Sequence, residues 1–121
     1  MRLVFHNSVA EISKEAIGKI LELMGRLSML IDAASSIELS IFNNYGETEE
    51  IVYVLEQLQN TKERGISAYS RLSTLLLKVS EVQPSAPMVM MEMLAKAMEQ
   101  AQATVDAGEA TVREARNDWS M

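Results

Sequence analysis

Residues 15–42 read EAIGKILELMGRLSMLIDAASSIELSIF. Along them Ala16, Ile20, Leu23, Leu27, Leu30, Ala34, Ile37 and Ile41 follow alternating steps of four and three without a break. Side chains at those steps return to one side of an α-helix, so the stretch carries the seam of a helix packed along its length in the manner of a coiled coil. Upstream, Ser8 and Glu11 have the spacing of a capping box, in which each side chain accepts from the other's amide. Downstream, Asn43, Asn44 and Gly46 tolerate the left-handed backbone that closes a helix, and Thr48 can cap the next one. The first helix is therefore expected over about 8–43.

A second seam follows through Ile51, Leu55, Leu58, Lys62, Gly65, Tyr69, Leu72, Leu76 and Val79, interrupted by the polar stretch at 59–65. Pro84 and Pro87 cannot sit in a helix interior, and Pro87 suits a first turn. The second helix is expected over about 48–82 and the third over about 87–118. Helices of about 30–36 residues are roughly 45–54 Å long. Their short links make neighbours antiparallel. The fold class is all-α, an up-down-up bundle of three long antiparallel helices forming a single domain over 1–121.

Composition agrees. Aromatics make up only 5 % of the chain while Leu, Ile, Met and Ala are frequent, which favours helices over a β-sandwich. The net charge of −6, with no Lys/Arg run, offers no footprint for a phosphate backbone, so nucleic acid is not an expected partner. Residues 1–8 hold too short an apolar run for a secretory leader, and no stretch approaches the roughly 20 apolar residues of a transmembrane segment. The expected location is cytoplasmic, or outside the cell after export by a leaderless route.

The third helix opens with five methionines among residues 88–98. On a helical wheel Glu92, Lys96, Glu99 and Gln100 cover about a third of its circumference, and apolar residues cover most of the rest, about twice what one core needs. Farther along, the line of Met88, Met91 and Met98 continues into Asp106, Glu109, Arg113 and Arg116. The first helix carries a similar extra line at Ile17, Leu21, Met24 and Ile31. These lines share one end of the bundle, and an apolar excess on a soluble protein marks an interface. Ile17, Leu21, Met24, Met88, Met91 and Met98 are accordingly expected to join two copies into a helical homodimer. Methionine spacing could instead suit Cu(I), but these thioethers lie among Val, Leu and Ala, whereas a copper tract sits in polar surroundings. No metal or other cofactor is expected.

Catalytic chemistry finds little to use. The chain has one histidine, His6, and no cysteine, which rules out Cys-based metal sites, thiolate catalysis and disulfides. Glu47, Glu49 and Glu50 at the start of the second helix complement its dipole. Glu11 and Glu15 lack partner acid pairs at bundle-metal spacing. Lys62, Gly65 and Gly108 fall at similar heights and form a polar layer, in which Lys62 either snorkels to solvent or pairs with Asp32, Asp106 or Glu109. Two glycines on facing stripes mark either a close approach or a hinge, and close approach is the expectation. The function expected is that of a non-enzymatic protein–protein interaction module: an adaptor, a chaperone, or a secretion-system or phage accessory protein. The alternative is a binding protein for an apolar ligand or a membrane surface, using the Met-rich end of the bundle.

Overall fold

The computed structural model describes residues 3–6 and 9–119, with side chains from Glu11 onward. Three helices carry the fold: α1 (Lys14–Tyr45), α2 (Glu49–Glu81) and α3 (Met88–Asp118). Each packs against both others. Direction is fixed by contacts along the bundle. Arg26 of α1 reaches Asp106 and Glu109 of α3, and Tyr45 at the end of α1 stacks on Trp119 just past α3, so α1 and α3 run parallel. Lys62 of α2 meets Glu38 of α1, and Gln83 just past α2 meets Ile12 just before α1, so α2 runs the other way.

The first helix begins later than its seam suggests. Ser13, not Ser8, is the cap, its hydroxyl accepting from the Ala16 amide at 3.0 Å. Ser8 lies outside the described residues. Val9–Ile12, expected to be helical, form a strand, β2, that pairs antiparallel with β1 (Leu3–His6) and with the two-residue β3 (Ala86–Pro87). The reason is a partner distant in sequence: the extended backbone at Ala86–Pro87 pairs with β2. The Gln83 side chain adds a further bond, accepting from the Ile12 amide at 3.0 Å while its own amide donates to the Val79 carbonyl. At the other end Gly46 holds a positive φ of 69° and donates to Phe42, and the Thr48 hydroxyl caps α2 by accepting from Ile51.

All eight residues of the first seam, Ala16 to Ile41, are buried. On α2 the buried stripe is Ile51, Val54, Leu58, Thr61, Gly65, Leu72, Leu75 and Val79. It sits one position back from the expected Leu55, Lys62 and Leu76. The shift follows from α2 facing two helices, which draws its apolar centre round toward α3. Thr61 tolerates burial because its hydroxyl donates to the Gln57 carbonyl at 3.0 Å. Lys62, moved off the seam, pairs with Glu38 at 3.1 Å and not with Asp32, Asp106 or Glu109; the last two are held by Arg26.

Gly65 and Gly108 are both buried, and both face Leu30. A Cβ added at Gly108 would overlap the Leu30 Cδ2 methyl and lie 3.2 Å from Thr61 Cγ2. One added at Gly65 would lie 3.2 Å from Ile31 Cγ1 and 3.9 Å from Leu30 Cδ2. This layer is a close approach. Alanine gains about 1 kcal/mol of helix propensity over glycine, while overpacking costs about 1–3 kcal/mol. Gly108→Ala, wedged against a buried leucine, should lower the melting temperature by a few degrees. Gly65→Ala, against the half-buried Ile31, should cost less. Thermal unfolding by circular dichroism checks the order; a Gly108→Ala chain more stable than wild type would contradict the close approach.

Candidate functional site

The structure separates the six residues expected at an interface. Met91 and Met98 belong to the chain's own core, at 0 % and 7 % exposure. Met88 is half-buried at the core's edge, as is Met90. The wide apolar arc of α3 has a different cause from the one its sequence suggests. Its first turns meet β2 in addition to α1 and α2, and Met91 and Met98 are buried there, while Val89 and Met93 stay exposed at 64 % and 46 %. A helix enclosed on three sides needs an apolar circumference, whereas one lying on a single core needs only a stripe. Sequence reading had no third neighbour to offer because Val9–Ile12 had been placed in a helix.

The α1 residues behave otherwise. Ile17 and Met24 are half-buried and Leu21 is 54 % exposed. They lie on the side of α1 next to α2, whose own flank presents Ile66 at 50 % and Leu77 at 62 % exposure. Lys62 and Glu38 bridge the two helices on this side, and Ile31 fills the space beside Gly65. The result is an uncovered apolar face along α1 and α2, on a bundle whose interior is already filled.

Two further features were open to sequence analysis only in part. A cleft of about 640 Å3 lies between the start of α2 and the end of α3, lined by Glu49, Glu50, Tyr53, Glu114, Asp118 and Trp119 among others. Trp119 is held by Tyr45, whose ring meets it edge-on at 4.8 Å and whose hydroxyl donates to the Trp119 carbonyl. No three His, Asp or Glu side chains converge as a metal would require, among the described residues. The second feature is Arg26. Its guanidinium forks onto Glu109, with Nη2 at 2.6 Å from Oε1 and Nε at 3.3 Å from Oε2, and also reaches Asp106 at 3.0 Å. Gln102 donates to both Asp106 oxygens. The bonds to Glu109 and then Asp106 push the Arg26 pKa further up. The Asp106 carboxyl is held below its ordinary range, first by Gln102 and then by Arg26. This pairing ties α1 to α3 and sets their register.

No protein-family model, curated protein or solved structure matches the chain. Among the described residues, no helix is long and apolar enough to cross a membrane.

Two outcomes follow from this geometry. Replacing both Met91 and Met98 by Glu should unfold the chain, because each would set an unpaired carboxylate in the core; a folded double variant by circular dichroism would return these residues to the surface. Asp106 should titrate below the ordinary aspartate range when followed by carboxyl carbon NMR. A folded pKa below the unfolded one stabilises the protein above the ordinary aspartate range, and that contribution is lost as pH falls through the folded value. Gln102→Ala should move Asp106 up toward the ordinary range. No movement would assign the depression to Arg26 alone.

Proposed function

We propose that the chain is a non-enzymatic protein–protein interaction module that works as a helical homodimer, in the role of an adaptor, chaperone or accessory protein. The observation that carries this reading is the uncovered apolar face of α1 and α2. Leu21, Ile66 and Leu77 each leave half or more of their surface in solvent, although the core beneath them is complete without any partner. Exposed apolar side chains scattered singly are ordinary, but Leu21, Ile66 and Leu77 stand on adjoining flanks of two neighbouring helices, and residues grouped in this way are the pattern of an association surface. Burial of Met91 and Met98 in the chain's own core leaves less of the Met-rich end for an apolar ligand, which supports a contact through α1.

A long rigid bundle suits such a role. Its helices are fixed to one another by the Leu30 layer and the Arg26 fork, so a face along α1 and α2 is presented without reorganisation, and little ordering cost accompanies binding. We propose that it works in the cytoplasm, or outside the cell after leaderless export. Sedimentation equilibrium at micromolar concentration tests the reading. A species of twice 13.5 kDa is the expected result, and a monomer across the accessible concentration range would overturn it.

A further inference from the structure

We propose that two copies of the chain pair antiparallel through α1, along a second seam that the bundle leaves in solvent; this rests on the self-association proposed above and names its contact face. The seam is Lys14, Gly18, Leu21, Gly25, Ser28 and Asp32. Its steps are 4-3-4-3-4, the spacing that keeps a line of residues facing a partner helix. It lies nearly opposite the buried line of Ile20, Leu23 and Leu27 on the same helix, and all six residues are exposed.

The two glycines carry most of the argument. Gly18 and Gly25 sit inside a helix where glycine weakens the structure relative to alanine. Gly65 and Gly108 have a reason to lack a Cβ, because Leu30 or Ile31 fills the space. Nothing stands within 4 Å of a Cβ built at Gly18 or Gly25, and neither backbone adopts the positive φ seen at Gly46. No contact among the described residues accounts for them. A helix approaching from outside does, because bare backbone on this face permits a close crossing.

Charge sets the direction and the occupant. Lys14 and Asp32 end the seam, 18 residues or about 27 Å apart, and neither makes an ion pair among the described residues. A second copy running antiparallel, with its two-fold axis level with Leu23, brings Lys14 of each chain to Asp32 of the other. The same register lays Leu21 of each chain on Gly25 of the other, a large side chain into the gap a glycine leaves. A parallel copy would set Lys14 on Lys14 and Asp32 on Asp32. The seam is thus complementary to itself in one orientation only. Along the side toward α2, Ile17 and Met24 flank it, and Met24 meets its own copy near the axis. On the other side Glu22 meets Glu22, a repulsion that Lys19, 3.5 Å from Glu22 within each chain, partly offsets.

Sedimentation velocity on the full chain and four variants tests the arrangement at low ionic strength. Lys14→Asp and Asp32→Lys should each weaken the dimer about tenfold, since two attractive pairs become repulsive. The double variant, with the charges exchanged, should recover the wild-type affinity. Gly25→Leu should abolish the dimer while circular dichroism shows the helices intact, because the added side chain meets open space within its own chain. A dimer indifferent to the charge reversals and to Gly25→Leu overturns this seam but leaves self-association standing. A wild-type chain monomeric throughout overturns both.

Discussion

Leu30 occupies the space that a side chain at Gly108 would need and also touches the backbone position of Gly65. It is the point at which all three helices meet. Everything else in the bundle is arranged about this contact: α2 and α3 close on α1 at mid-length, and their core stripes converge there in Thr61, Gly65, Val105 and Gly108. A polar stretch at 59–65 that looked like a weakness in α2 is compatible with this arrangement. Thr61 returns its hydroxyl to its own helix, Lys62 turns to Glu38 at the edge, and Gly65 removes the atom that would obstruct. Interiors are packed to crystal-like density, so a glycine facing a leucine is complementary shape and not a void.

How much of this was legible in the sequence depends on how many neighbours each helix has. On α1 every seam residue was readable, because an uninterrupted 4-3 line from Ala16 to Ile41 allows only one buried side. On α2 the same rule misplaced four positions: Val54, Thr61 and Leu75, which answer to α3 as well as α1, are buried in place of Leu55, Lys62 and Leu76, and Tyr69 is exposed beside the half-buried Ala68. The methionines of α3 were read as a surface excess because β2 and β3 were not foreseen. Yet Leu3-Val-Phe5 is rich in strand-forming residues, and Asn7-Ser8 stands between it and Val9. Ser13, three residues before Ala16, competes with Ser8 as a cap, and only the pairing of Ala10 with Ala86 decides between them. That is a contact across more than seventy residues, which no local signal reports. Arg26 illustrates the same limit, since its value lies in Asp106 and Glu109 on a distant helix.

The glycines show why one residue type cannot be read uniformly. Gly46 needs its positive φ, Gly65 and Gly108 need their missing Cβ, and Gly18 and Gly25 need neither among the described residues. The methionines divide similarly. Met91 and Met98 fill irregular space under three covering elements, a use that suits an unbranched, flexible side chain. Met24 stands at the margin between α1 and α2, and Met29 projects into solvent. Apolar surface is left uncovered on all three helices, at Leu21, Met29 and Leu39 of α1, at Ile66 and Leu77 of α2, and at Val89 and Met93 of α3.

Charge bears on what kind of association such a surface permits. Each chain carries −6, so two copies repel at long range. At physiological ionic strength that repulsion is screened over about 8 Å, and the outcome turns on charges that come into contact. An apolar patch alone would not discriminate among partners or orientations. Lys14 and Asp32 at opposite ends of one exposed line do discriminate, because they reward a single direction and penalise the other. For the proposed dimer, net charge works as a filter: it opposes loose, unregistered encounters between copies and favours the pairing in which local complementarity offsets the general repulsion. In the proposed pairing, a small acidic bundle with a sparse apolar face stays dispersed until that register is found.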